Sequence, residues 1–407
     1  MAKKFRYQHI KSSVEGKAPT SQQLKVAEIG VNDFAGDEKL FIKNSSGDVV
    51  SFSSDQVLEA RELWEAGSGN NSAVLKNSSG TASGDFAVAE GAGTLASGYY
   101  SHTEGYGTSA TTSYAHAEGY QTQATFLEAH AEGLSTSATS IGSHAEGNST
   151  LASGYYSHTE GDGTTASGSR AHAEGQYTTA SGSSSHAEGY STKAIGDQSH
   201  AEGNSTIVTG TYGHAEGNNA KAFGNYGSHA EGDSTIANGE SSHAEGLNTK
   251  AIGYHSHAEG YSTIASGESS HAEGSNTQAV RNYSHSEGSG TIASGYSSHA
   301  EGNQTNAIGD YSHTEGAGTS ALTYWAHAEG SSTKAVKDAS HAEGNGTAAA
   351  GNYSHAEGAD TVASGVSSAY VTLYSTYFCC SAVNVVLVNI VIIASSVPPF
   401  TISTLNL

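Results

Sequence analysis

The chain has 407 residues, of which 51 are glycine, 3 proline and 1 methionine; a core of large side chains is excluded, and small residues must fill a thin structure. Its formal net charge is −23, and residues 1–87 hold 10 basic and 11 acidic groups, leaving 7 basic and 29 acidic groups, a balance of −22, beyond them. Phosphate binding needs clustered Lys and Arg, so nucleic acid and anionic membranes are excluded as partners.

The N-terminus, MAKKFRYQHIKSSVEG, is basic but runs into polar residues with no apolar stretch. It does not read as a secretory signal, and synthesis in a cytoplasm is expected. Further on, KLFIK and DVVSF flank NSSG, which predicts a hairpin from Lys39 to Phe52. SSDQVLEARELWEAG then starts with Ser and Asp and ends at Gly67, which predicts a short helix around 55–66. Residues 1–53 thus read as an anchor segment and 54–71 as a helical neck and linker.

From residue 72 to 368 the pattern S-H-A-E-G-x-x-T-x-A-x-G-x-x returns every 14 residues, with one extra residue near Asn225–Ser228, for about 21 coils counted from Val74 and Val88. A fixed short period means a solenoid. The expected fold is all-β: a parallel β-roll with two short strands and two tight turns per coil, about 100 Å long at ~4.8 Å per coil. Ser and Ala of the first strand and Thr and Ala of the second should face inward, with His and Glu outward. Glycine should close both strands where a turn demands positive φ. In the second strand, apolar residues alternate between two outward sites, as at Ile236, Ile252, Ile264, Val280, Ile292 and Ile308.

Residues 369–407 contain no charged residue and no histidine; SAVNVVLVNIVIIASSVPPF is β-branched but interrupted by Asn384 and Asn389. A strand-rich apolar cap or tip is expected here, with no membrane span. Cys379 and Cys380 are adjacent and provide no long-range disulfide.

The repeated pair is the candidate site. Its histidines are His102, His116, His130, His144, His158, His172, His186, His200, His214, His229, His243, His257, His271, His285, His299, His313, His327, His341 and His355. Two residues after each stands Glu104, Glu118, Glu132, Glu146, Glu160, Glu174, Glu188, Glu202, Glu216, Glu231, Glu245, Glu259, Glu273, Glu287, Glu301, Glu315, Glu329, Glu343 or Glu357. Stacked glutamates would repel by ~3–4 kcal/mol per neighbouring pair at an effective dielectric near 20, so a half-buried acidic ladder needs donors beside it. Each coil buries only about three or four methyl-sized groups, too little against backbone entropy, so another surface should be covered. Both arguments point to parallel copies of the chain packing their His and Glu rows together along a shared axis, with donors supplied across chains.

A solvated His/Glu face is the plain alternative, and an axial transition ion held by histidines from three chains is another. A Ser-His-Glu triad is excluded because neighbouring Ser and His point to opposite faces of a strand. No cofactor and no enzymatic activity are expected. An ice- or mineral-binding solenoid using the repeated Thr row is a rival of a different class, disfavoured by the bulky residues beside the threonines. The turn aromatics Tyr99, Tyr100, Tyr155, Tyr156, Tyr254 and Tyr296 offer rings to a glycan, or simply cover neighbouring turns.

The unit S-H-A-E-G-x-x-T-x-A-x-G resembles the 14-residue head repeat of YadA-type trimeric autotransporter adhesins, over about residues 72–368. The resemblance implies a left-handed parallel β-roll packed as a homotrimer. That family places two apolar residues at the trimer centre; here His and Glu hold those positions, which implies a polar axis. A secretion signal and a C-terminal barrel anchor of that family are not recognisable here. IKSSVEGKAPTSQQLKVAEIGVNDFAGDEKLFIKNSSGDVV, residues 10–50, resembles the virion-attachment segment of bacteriophage tail fibres. It implies a virion fibre, made in the host cytoplasm, whose residues 1–53 bind other virion proteins and whose shaft and tip meet a host-surface receptor. A bacterial surface adhesin is the alternative.

Overall fold

The computed structural model describes residues 10–12, 29–32, 39–43, 46, 48–53, 63–372 and 391–395. They belong to two compact units, Met1–Glu128 and Ala129–Leu407.

In the first unit Ile10–Ser12, Ile29–Asn32, Lys39–Lys43 and Val49–Ser53 form a four-stranded sheet in that order. Its last two strands are the expected hairpin, with Leu40 opposite Phe52 and Ile42 opposite Val50. The predicted helix is corrected at its end. Residues 54–62 lie outside the described residues, but Trp64–Ala66 is a strand that runs antiparallel to Ala73–Leu75. Helix formers yield here to an unpaired strand edge, whose free N–H and C=O groups outweigh weak local propensity.

Coils follow. Long strands Val88–Ala92, His102–Tyr106 and His116–Tyr120 stack in parallel, and short strands Thr81–Ala82, Leu95–Ala96, Ser109–Ala110 and Gln123–Ala124 form a second stack. The register is coil on coil, His102 opposite His116 and Glu104 opposite Glu118. At the first coil the expected frame slips by one, since Ala73 and not Val74 lies opposite Val88. Val74 instead packs on the buried alanines Ala82, Ala87, Ala89 and Ala96, where a large apolar group loses more water than it would outside.

The second unit continues the scheme from His130–Leu134 and Ser137–Ala138 to His355–Glu357 and Val362–Ala363. Ser368–Thr372 then pairs in parallel with His355–Glu357 and antiparallel with Val391–Ser395, so the last rung of this stack is covered by a reversed strand. Residues 373–390 and 396–407 lie outside the described residues. Near Asn225–Ser228 the extra residue stays in the turn, and His214 still faces His229 across the rung.

The core is a column of methyl and hydroxyl groups. Ala187, Ala194, Thr192, Ala201 and Thr206 are fully buried, and the alanines of neighbouring coils form one continuous cluster. The strands sit one residue later than the pattern suggests, running His186–Tyr190 and Lys193–Ala194. Ser185 belongs to the turn instead, where its Oγ donates to the Gly182 carbonyl at 2.7 Å.

The two glycines of each coil do different work. Gly175 has φ +101 within a strand, whereas Gly182 has an ordinary φ and is favoured because a Cβ there would lie 1.9 Å from the Gly196 carbonyl oxygen unless the backbone shifts. The left-handed turn positions fall on other residues, such as Ser184 (φ 54) and Ser191 (φ 55). Their N–H groups donate to carbonyls one coil earlier, Ser184 to Ser169 at 2.7 Å and Ser191 to Gln176 at 2.8 Å, which offsets the strain.

Candidate functional site

Because the long strands stack in register, every outward position becomes a file running from coil to coil. In the second unit the imidazoles form one such file, with ring centroids 4.6 Å apart at His130–His144, 4.7 Å at His144–His158 and 4.9 Å at His200–His214. Most rings are close to parallel, 1° apart at His172–His186 and 2° at His299–His313. In the first unit His102 and His116 are 4.8 Å apart and tilted by 56°.

Glutamates form the adjacent file. Extended backbone separates His and Glu of one strand by about 7 Å, but the side chains lean together: Nε2 to Oε2 is 3.4 Å at His130–Glu132, 3.6 Å at His172–Glu174 and 3.9 Å at His257–Glu259. An imidazole of the same chain therefore already stands near many of the carboxylates. Most of these contacts exceed hydrogen-bond length, and they are ion pairs only where the imidazole is protonated. At both ends the pairing crosses between coils. His102 lies 3.5 Å from Glu90 in the Val88 coil, which has no histidine, and His355 lies 3.7 Å from Glu343.

The face is half open. His172 and Glu174 side chains are each 34% exposed, yet Nε2 of His144, His158 and His186 is shielded and has no hydrogen-bond partner. Burial, followed by repulsion from His144 and His172, pushes the His158 pKa below the ordinary histidine range. Burial and the flanking His172 and His200 do the same to His186. These groups prefer to be neutral, each offering a lone pair.

Other candidates separate cleanly from this face. Where a coil carries Ser before its His, that Ser is inside, as with Ser199 and Ser270, which donate to the Gly196 and Gly267 carbonyls, and it does not meet the outward imidazole. The Thr row expected of an ice-binding face is also interior: Thr122, Thr192, Thr249 and Thr305 are fully buried, so that reading is overturned. His255 sits in an exposed turn with φ 55, away from the file, and His9 lies outside the described residues.

The six turn tyrosines named above are exposed, from 37% at Tyr296 to 60% at Tyr254, but several use their faces on neighbouring rings. Tyr100 stacks on Phe86 at 4.8 Å and on Tyr114 at 5.8 Å; Tyr155 meets Tyr156 edge-on at 4.3 Å. A turn ladder escaped the sequence reading: Asp197 accepts from the Ser183 N–H and Asp310 from the Tyr296 N–H, both at 2.8 Å and both one coil back. Its only sequence signal is Asp or Asn one residue after the second glycine position.

The fold and its files define the class, a parallel β-solenoid of 14-residue coils carrying an outward imidazole–carboxylate ladder. Within it, residues 145–171, 173–192, 187–212, 230–256 and 286–312 match the YadA head domain repeat, and over those segments the chain is similar to that family. No curated protein matches the chain.

Proposed function

We propose that the chain is a non-enzymatic structural fibre of a bacteriophage virion, trimeric along its β-roll, held to the particle by residues 1–53 and presenting shaft and tip to a host surface. The observation that carries the assembly is the half-open His/Glu ladder. The Nε2 atoms of His144, His158 and His186 are shielded yet make no hydrogen bond, which is costly on a coil that buries little else. Three parallel copies packed on this face would cover it along its length, and the similarity to YadA head repeats supports that mode of packing. Residues 10–50 support the virion setting through their likeness to fibre attachment segments. Partners are then further copies of the chain, other virion proteins, and a host-surface receptor, with a glycan as one candidate. The mechanism is reach and multivalency, several weak contacts acting together at the end of a spacer.

The similarity to YadA head repeats favours a second reading, a trimeric adhesin on a bacterial surface. Fractionation separates the two: the fibre reading requires the protein in purified particles, the adhesin reading in outer membranes. Assembly is tested by sedimentation of the full chain, with trimers expected, and dissociated or shortened species expected once several ladder histidines are replaced by Ala. An unchanged oligomer in that variant would refute the role of the ladder.

A further inference from the structure

We infer that the ladder is also a metal-binding array, taking up divalent transition ions of the cobalt, nickel and zinc type, each ion bridging two successive coils through two imidazoles and one carboxylate. The ligand set lies within one chain, so this inference does not depend on the assembly proposed above. One ligand atom from each of His144, Glu146 and His158 falls within 4.8 Å of the other two, and four further sets between His130 and His200 repeat the arrangement.

Four-coordinate zinc with bonds of about 2.0–2.1 Å has ligand-to-ligand edges of about 3.3–3.4 Å. The His–Glu edge is already near that value, 3.4 Å at His130–Glu132 and 3.6 Å at His172–Glu174. The His–His edge is longer, and parallel rings aim their lone pairs side by side, so one imidazole must tilt toward its neighbour. The file tolerates tilts of 16° at His130–His144 and 30° at His200–His214. Two features point to a cation of this class. Nε2 of His144 and of His158 has no hydrogen-bond partner, so a bound ion would satisfy two otherwise unpaired atoms. Two nitrogens and one carboxylate per ion suit borderline transition metals and not magnesium or calcium, which require oxygen. About a third of each side chain is exposed, as at His172 and Glu174, which leaves an entry path from the rim. The fourth position would be taken by water or by a neighbouring copy.

The test uses the full chain, stripped with a chelator and titrated with cobalt(II) near neutral pH. Intense visible bands of four-coordinate cobalt are expected, with several ions bound per chain by equilibrium dialysis. The first variant replaces His144, His158, His172, His186 and His200 by Val, a residue the coil already accepts at Val88, opposite His102. It removes ligands from at least five of nine sets, so uptake and band intensity should be roughly halved. Should that variant fail to fold by circular dichroism, Glu→Gln at Glu132, Glu146, Glu160, Glu174 and Glu188 keeps the imidazoles and should lower the four-coordinate signal by a similar share. A weak six-coordinate spectrum, or uptake unchanged in the folded variant, would overturn the proposal.

Discussion

A Cβ placed on Gly213 would stand 2.7 Å from Cγ1 of Val208. In other coils the first position carries Ser or Ala and the second Ala, as at Ser199 and Ala194, so two departures from the repeat occupy one space. Val208 is fully buried, and the extra methyls it brings are accommodated where its neighbour lacks a side chain. Gly213→Ser alone should therefore destabilise by about 1–3 kcal/mol. Val208→Ala alone should cost about 1–2 kcal/mol. The double variant restores the common pair and should return close to the parent. A urea double-mutant cycle measures this, and strictly additive effects would refute the coupling.

The two glycines of a coil should respond differently to alanine. Gly175 combines φ +101 with a Cβ position 2.2 Å from the Gly189 carbonyl oxygen; Gly182 has only the close approach, 1.9 Å from the Gly196 oxygen. The chain carries Thr112, Phe126, Ser140, Arg281, Thr323 and Lys337 at equivalents of Gly182, but glycine at every equivalent of Gly175 from Gly91 to Gly358. Gly175→Ala should exceed Gly182→Ala in cost by about 1–2 kcal/mol, the penalty of left-handed backbone. Equal denaturation midpoints for the two variants would contradict this. Both glycines are plain in the repeat, but the sequence does not distinguish the conformational demand from the steric one; only stacking at the spacing of a β-ladder brings a carbonyl beneath the second.

Deleting Gly227 should leave stability within about 0.5 kcal/mol of the parent. Its φ is 84 and its N–H makes only a long 3.4 Å contact with the Thr211 carbonyl, while His214 and His229 keep register around it. Thermal unfolding followed by circular dichroism would reveal a register slip as a broad, early transition.

Acid should loosen the roll. His158, His186, His299 and His327 have folded pKa values below the ordinary 6.5, held down first by burial and then by the neighbouring imidazoles. The unfolded chain thus binds more protons between those lowered values and 6.5. The contribution is fully present above 6.5 and is lost as pH falls below it toward the folded values. The melting temperature of the full chain should be lower at pH 5 than at pH 7.5. Replacing ladder histidines by Val should flatten the difference; a melting temperature that rises on acidification would count against it.

Periodicity determined the larger part of this protein: a 14-residue solenoid, the inward column of Ala, Ser and Thr, the outward His and Glu rows, and a turn able to take the extra residue near Asn225; the NSSG turn between KLFIK and DVVSF determined the hairpin at Lys39 to Phe52. Alternation along a strand decides which side faces in, and that information is local. Tertiary structure decided what depends on neighbours in space. Trp64–Ala66 became a strand because the first rung at Ala73–Leu75 left an edge to pair. Val74 turned inward because burial outweighed strict period. The partner of Glu90 proved to be His102, one coil on, and glutamates such as Glu132, Glu174 and Glu259 were reached by the histidine of their own strand, because long side chains lean across distances that strand spacing suggests are open.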